Sequence, residues 1–236
     1  MNMNIKPLQN ELKTLYKEFE SFCNKNGIRL YLAYGTLLGA IRHKGFIPWD
    51  DDWDVYMPRP DYEKMIQLRH CLPEDMTWSS IETNPDHDLL FGKIYKKVSA
   101  DDIARLERET GLSIRQGIFI DIFPLDGMPS NPISLLYWRA KRSYLRRHAS
   151  GEELQRWFKS YSYDKCRYVG AANCEQSSPS RYRYLKSDFA EPKTVPFDDI
   201  QVLVPSQPES VLSVEFGDWR KLPPEDQCKP SHQVVA

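Results

Sequence analysis

The spacing of apolar residues near the start of the chain predicts a helix. Apolar side chains occupy every third or fourth position, with charged residues between them: Leu8, Leu12, Leu15, Phe19 and Phe22. This spacing places the apolar side chains on one face of a helix. We therefore predict an amphipathic helix over residues 8–26 that ends at Gly27 and packs its apolar face into the core.

Shorter segments with strand or helix patterns follow this helix. IRLYLAY, residues 28–34, alternates and predicts a strand that runs directly into Gly35 and Thr36. LLGAIRHK then predicts a short helix, and DWDVYM, residues 52–57, predicts a second strand. The segment PRPD opens a further helix that we expect to continue to about Cys71.

The rest of the chain divides near residue 130. Before that point, MTWSSI, LLFGKIYKK and GIFIDIF are strand candidates. After it, residues 131–149 and 151–161 have helical patterns, and residues 170–195 are polar and irregular. We predict an α+β fold in which residues 1–130 form the principal domain. Residues 131–236 form a mainly helical region that we expect to pack on it as part of one compact unit.

Composition and charge narrow the possible functions. The chain has 236 residues, 41% of them hydrophobic, and a net charge of −1, so it can bury a core but offers no general attraction to nucleic acid. Its five cysteines lack CxxC pairs, which argues against a disulfide framework and a structural zinc site. We find no signal sequence and no apolar run of ~18 residues. We expect a cytoplasmic protein, with peripheral contact to the inner face of the membrane as an open alternative.

Four aspartates lie close together just before and within the second predicted strand: Asp50, Asp51, Asp52 and Asp54. In a strand, Asp52 and Asp54 project from the same face and repel each other unless a cation lies between them. Their oxygens suit Mg²⁺ or Mn²⁺, which keeps open positions for phosphate oxygens. The alternative is a charged turn, and for an isolated DxD motif it is the better interpretation.

Three further features favour a metal and phosphate site. Gly35 and Thr36 follow a strand and open a helix, where backbone N–H groups attract phosphate. Asp121 lies in the otherwise apolar strand GIFIDIF, where a buried carboxylate needs a partner, so it is a candidate third metal ligand. Arg42 and Lys44 precede the acidic segment and either balance its charge or bind substrate phosphates.

Motif spacing argues against several other sites. An EF-hand that begins at Asp50 requires glycine and glutamate where the chain has Val55 and Asp61. The chain contains neither GxxxxGK[ST] nor GxGxxG, which disfavours P-loop and dinucleotide enzymes. A nucleotide-sugar glycosyltransferase also uses a DxD motif and stays an alternative, as does a catalytically inactive nucleotide-binding module.

Three segments carry a resemblance to a known family. AYGTLLGAIRHKGFIPWDDDWDVYMPRPDYEKM begins at residue 33, FIDIFPLDGMP begins at residue 119, and FGDWRKLPP begins at residue 216. The first two resemble the LicD family of bacterial phosphocholine transferases, which are related to fukutin and fukutin-related protein within the nucleotidyltransferase superfamily. The third is similar to that family's C-terminal YGDYxxLPP signature. The resemblance implies a nucleotidyltransferase-like mixed β-sheet flanked by helices, with residues 1–130 as the catalytic core and a helical C-terminal part.

The resemblance also implies a reaction. A phospho-alcohol, most simply phosphocholine, would pass from a CDP-activated donor such as CDP-choline to a hydroxyl of a cell-surface glycan or its lipid-linked precursor. Lipopolysaccharide, teichoic acid and capsule are acceptors of this kind, and ethanolamine, glycerol and ribitol remain alternative alcohols. By position, Gly35 and Thr36 match the superfamily's Gly-Ser/Thr signature and Asp52 and Asp54 its Mg²⁺ pair. Asp121 matches its third carboxylate, as a metal ligand or the general base.

The remaining candidates have structural alternatives. Trp49 and Trp53 flank the aspartates and either contact cytosine or a quaternary ammonium, or pack in the core. Lys93 and Lys96 either contact the nucleotide or are solvated. Four arginines after residue 130 form either a solvated face or a docking surface for an anionic glycan or membrane: Arg139, Arg142, Arg146 and Arg147.

Overall fold

The computed structural model describes residues 4–171, 182–230 and 234–235. Its α-helices are α1 Lys6–Lys25, α2 Tyr34–Leu38, α3 Arg59–Leu68, α4 Ala100–Thr110, α5 Pro132–His148, α6 Gly151–Lys159 and α7 Pro208–Phe216. A π-helical turn, Gly39–His43, continues α2. The strands are β1 Tyr31–Leu32, β2 Asp54–Pro58, β3 Met76–Ser79, β4 Gly92–Lys96, β5 Leu112–Ser113, β6 Ile118–Met128, β7 Tyr168–Gly170, β8 Tyr184–Leu185, β9 Lys193–Phe197, β10 Ile200–Val204 and β11 Val234–Val235.

A mixed sheet forms the centre of the fold. Its strands run in the order β1-β2-β6-β4-β3, and β7 and β8 extend it beside the end of β6. The pair β2 and β6 is parallel, whereas β1 with β2, β4 with β6 and β3 with β4 are antiparallel. This sheet and its flanking helices confirm the predicted α+β fold.

The apolar face of α1 packs against this sheet, as its sequence pattern predicts. Leu12, Leu15 and Phe19 are at most 2% exposed. Tyr16 on the same helix stacks on Trp53 with ring centroids 4.6 Å apart. Trp53 is fully buried, so it is a core residue rather than a ligand for cytosine or an ammonium group.

The structure corrects several element predictions. The predicted strand over residues 28–34 shortens to β1, because the helical turn α2 already begins at Tyr34. Three features were not predicted from the sequence: α4, the antiparallel hairpin of β9 and β10, and α7. Part of the predicted irregular stretch, residues 172–181, lies outside the described residues.

The predicted helices after residue 130 form α5 and α6, and strands accompany them. Both helices bury apolar side chains in a second, smaller core that includes Leu135, Trp138, Leu154 and Phe158. Strand β7 pairs with the end of β6 across the expected boundary. The division into two regions near residue 130 stays a prediction. None of the helices in the described part of the chain combines the length and apolar character that a membrane span requires.

Candidate active site

Three charged side chains form a row across the centre of the sheet. Asp54 on β2 is the direct neighbour of Asp121 on β6, and Asp121 is the direct neighbour of Lys93 on β4. Directly paired residues of adjacent strands project from the same face and lie about 5 Å apart. Lys93 Nζ donates to Asp121 Oδ1 at 2.5 Å, and both side chains are more than nine-tenths buried. One face of the sheet therefore carries two carboxylates and one ammonium group.

The connection from β1 to α2 brings backbone atoms close to the acidic segment. Tyr34 has a φ of +42°, a left-handed conformation that is uncommon for a residue with a side chain. At the following residue, Gly35, an added Cβ would stand 2.9 Å from Asp50 Oδ2. Glycine at this position thus allows the turn and the acidic segment to approach each other.

A pocket of about 700 Å³ collects most of the predicted site residues. Seven of them line it: Gly35, Arg42, Trp49, Asp52, Asp54, Lys93 and Asp121. Asp50 also lines it. Residues from the two resembling segments near the start and middle of the chain therefore meet in one place.

The structure does not bring Thr36 and Lys44 into this lining. Thr36 is 2% exposed, and its hydroxyl accepts a hydrogen bond of 2.9 Å from the backbone N–H of Asp54. It therefore fastens α2 to β2 rather than contacting substrate. Lys44 is exposed and ends the π-helical turn in a left-handed conformation, where its carbonyl accepts from the N–H of Asp198. Outside the pocket, Lys96 pairs with Glu11 at 2.8 Å.

A C-terminal segment closes one side of the pocket. Arg42 Nη1 donates to the carbonyls of Trp219 at 2.9 Å and Lys221 at 3.0 Å. The segment contributes six lining residues, which the search for charged motifs missed: Phe216, Asp218, Trp219, Lys221, Leu222 and Pro223. Its resemblance to the YGDYxxLPP signature is the one sequence signal that pointed to it.

Aromatic rings form a further part of the pocket lining. Tyr34 packs edge-on against Phe123 and Tyr182 with centroid distances of 5.0 and 5.6 Å. The ring centroid of Phe91 lies 4.5 Å from that of Phe123. Because Phe123 follows Asp121 by two residues on β6, these rings begin about 7 Å along the strand from the carboxylate row. The pocket thus joins a charged surface to an aromatic one.

A buried acid lies behind the aromatic surface. Glu215 Oε1 accepts hydrogen bonds from Tyr56 at 2.6 Å and Tyr184 at 3.0 Å. Burial raises the pKa of the Glu215 carboxyl from 4.5 to about 7, and the two tyrosine hydrogen bonds oppose this rise. Tyr56 also packs against Tyr34 of the pocket lining, 5.1 Å between centroids.

The carboxylates suit a divalent cation only in part. Among the described residues, no group of three or more His, Cys, Asp or Glu side chains is placed to hold a metal ion by itself. Asp52 and Asp54 offer the oxygen donors that Mg²⁺ prefers, and Asp121 forms an ion pair with Lys93. Mg²⁺ commonly takes one or two protein carboxylates and completes its shell with water and substrate phosphates. The donor set therefore fits a Mg²⁺ ion that arrives with a phosphorylated substrate.

A family model described as LicD/FKTN/FKRP, nucleotidyltransferase domain, matches residues 27–207. The chain belongs to the LicD family. The matched range contains Gly35, Asp52, Asp54 and Asp121 and therefore the carboxylate row.

Curated relatives of this LicD-family chain include one match over nearly its whole length. The lipopolysaccharide cholinephosphotransferase LicD of Haemophilus influenzae is 27% identical, over 91% of this chain and 90% of the relative. An uncharacterized protein of Rickettsia prowazekii is 41% identical over 27% of this chain and 23% of its own length. Mannosyltransferase regulator 4 of Saccharomyces cerevisiae is 38% identical over 21% of this chain and 4% of its own length.

Proposed function

We propose that this protein transfers phosphocholine from CDP-choline to a hydroxyl of a cell-surface glycan or of its lipid-linked precursor. The observation that carries the proposal is the pocket in which a carboxylate row adjoins a set of aromatic rings. The near full-length similarity to a lipopolysaccharide cholinephosphotransferase supports the choice of phosphocholine and of a glycan acceptor. We place the reaction in the cytoplasm, at the inner face of the membrane where a lipid-linked acceptor would lie.

The aromatic surface favours choline over a polyol. A quaternary ammonium is attracted to the faces of aromatic rings and needs no hydrogen-bond acceptor. Tyr34, Phe91, Phe123 and Tyr182 provide such rings, and an O–CH2–CH2 linker would join the ammonium to a phosphate near the carboxylates. Glycerol and ribitol would lose the hydrogen bonds of their hydroxyls to water on the same surface.

The charged surface suits the reacting phosphate. The acceptor hydroxyl attacks the phosphorus that bears choline, the bond to the CMP oxygen breaks, and the hydroxyl proton leaves to a base. We assign Asp52 and Asp54 to Mg²⁺, which would neutralise the charge of the pyrophosphate and of the departing CMP. Asp121 is our candidate for the base or for a third ligand, and Lys93 holds it in place by the 2.5 Å ion pair. Trp49 lines the pocket and is our candidate for stacking on cytosine.

The test measures CMP release and donor binding with matched variants. We expect Asp52→Asn and Asp54→Asn to lower turnover of CDP-choline with Mg²⁺ by at least roughly a hundredfold while leaving the folded state intact. Asp101→Asn, an exposed position on α4 outside the pocket, is the control and should retain activity. Asp121→Asn separates its two roles, because loss of turnover with unchanged Mg²⁺ affinity supports the base and parallel loss of both supports the ligand.

Calorimetric titration of CDP-activated donors with Mg²⁺ present tests which alcohol the donor carries. CDP-choline should bind more tightly than CDP-ethanolamine, CDP-glycerol and CDP-ribitol. Phe123→Leu should reduce this preference without weakening the binding of CMP. Preference for a UDP-sugar would replace this proposal with a glycosyltransferase. Binding of a CDP-alcohol without CMP release in the presence of glycan acceptors would indicate an inactive binding module.

A further inference from the structure

Exposed apolar side chains concentrate on one helix. In the part of the chain that the structure describes, seven large apolar side chains are exposed, and four of them belong to α5. Their exposed fractions are 83% for Ile133, 68% for Leu136, 60% for Tyr137 and 62% for Tyr144. Of the other three, Phe216 and Leu222 line the pocket. Helix α5 therefore carries the main apolar surface that the fold leaves open to water.

These four side chains form a stripe along the helix. The intervals from Ile133 to Tyr137 and from Tyr137 to Tyr144 are four and seven residues, which correspond to one and two helical turns. The opposite face is occupied, because Leu135 and Trp138 pack in the core shared with α6. The helix is capped by Asn131, whose side chain accepts from the N–H of Ser134. The stripe is thus a fixed surface of about 16 Å in length.

Positive charge accompanies the stripe. The sequence of α5 contains five Lys or Arg residues, of which Arg142 is buried, and neither Asp nor Glu, in a chain whose net charge is −1. Arg146, Arg147 and His148 are exposed in its last turn. Long basic side chains beside an apolar stripe can keep their charges in water while the stripe is buried. This combination is typical of helices that lie in the interface of an anionic bilayer.

We propose that α5 is a membrane-docking helix whose apolar stripe, Ile133, Leu136, Tyr137 and Tyr144, enters the headgroup region of a bilayer containing anionic lipid. The inference goes beyond the transfer reaction, although membrane docking would bring the protein close to the lipid-linked acceptor of the proposed function. A second copy of the chain is the competing occupant. Paired α5 helices would bring two basic segments to one interface with no acidic residue on either helix, whereas anionic headgroups supply the opposite charge.

The docking helix is connected to the pocket. Leu90 packs in the same small core as Leu135 and Trp138. Its two chain neighbours, Leu89 and Phe91, line the pocket. A bilayer bound by α5 would therefore lie against the structural unit that also forms one edge of the pocket, where a lipid-linked acceptor must arrive.

Co-sedimentation with protein-free vesicles tests the proposal. The full chain should bind phosphatidylglycerol-containing vesicles and not pure phosphatidylcholine vesicles, and added salt should weaken the binding. Leu136→Ser should lower the partition coefficient on the order of tenfold, and Arg147→Glu should lower it at least about fivefold. Leu185→Ser and Arg108→Glu alter exposed residues elsewhere, on β8 and α4, and should bind as the unaltered chain does.

Each outcome supports or overturns the docking role. Absence of binding to anionic vesicles, or equal losses in the control variants, would overturn it. Elution as a dimer that Leu136→Ser converts to a monomer would assign the stripe to a second copy instead. Because the vesicles contain neither donor nor acceptor, vesicle binding can succeed while the proposed transfer fails, and the reverse. We also expect all four variants to keep their turnover on a soluble acceptor.

Discussion

Replacing Glu215 with glutamine should change how the stability of the protein depends on pH. The carboxyl is 2% exposed and has a folded-state pKa of about 7, compared with an ordinary value of 4.5. Between these two pH values, the unfolded chain releases the proton while the folded chain keeps it. Wild-type stability therefore falls as pH rises through this window, and the loss is complete above about pH 7.

The size of the effect follows from the same two values. At ~1.4 kcal/mol for each pH unit of difference, the interval from 4.5 to about 7 corresponds to an upper limit of about 3 kcal/mol. Glutamine keeps a carbonyl oxygen to accept from Tyr56 and Tyr184 and has no proton to lose in this range. Relative to wild type, Glu215→Gln should therefore gain up to about 3 kcal/mol between pH 4.5 and 8.

Urea unfolding of both proteins at several pH values measures this difference directly. Taking the difference between variant and wild type removes the contributions of all other titrating groups. Glu209→Gln, an exposed position on the same helix, is the control and should give a nearly flat difference. A flat difference for Glu215→Gln, or one that favours wild type as pH rises, would refute the reasoning that burial keeps this acid protonated.

Three further substitutions test the site. Lys93→Met should destabilise the fold by about 3–5 kcal/mol in urea unfolding, because it leaves the buried Asp121 carboxylate without its cation. The double variant with Asp121→Asn should lose less stability than the sum of the two single losses, and additive losses would contradict the Lys93–Asp121 ion pair. Thr36→Val should cost about 1–3 kcal/mol, because the N–H of Asp54 loses its acceptor; an equal loss in Thr36→Ser would assign the effect to the methyl group. Gly35→Ala should lower CMP release roughly ten- to a hundredfold, since its methyl would stand 2.9 Å from a carboxylate oxygen; unchanged turnover would refute this.

Local patterns were sufficient to locate three central elements. The apolar spacing of α1, which buries one face, placed that helix to within a few residues. Strands β2 and β6 were also located, although both of their faces are buried, and β6 continues beyond the predicted segment to Met128. Local signals were also present in two elements that were missed. Helix α4 has Ser99 as an N-cap and Gly111 at its end, and β9 and β10 alternate on either side of Asp198 and Asp199.

Other features depend on contacts that no local pattern contains. The ion pair of Lys93 with Asp121 requires the register of β4 against β6, which a one-residue shift would destroy. The same limit applies to Thr36, whose hydroxyl became a structural acceptor because α2 packs beside β2. The sequence indicated that charged residues gather at the acidic segment, and they line one pocket; their individual partners depend on tertiary structure.

The hydrogen bonds from Arg42 to the C-terminal segment set an order of events during protein synthesis. Arg42 precedes its acceptor Trp219 by 177 residues, and its acceptor Lys221 by 179. At roughly 5–20 residues per second, the ribosome needs on the order of ten seconds or more to make the missing wall after Arg42 has been added. A nascent or prematurely terminated chain can thus contain Asp52, Asp54 and Asp121 and still lack an enclosed pocket, because that side of the pocket forms only after Lys221 has been added.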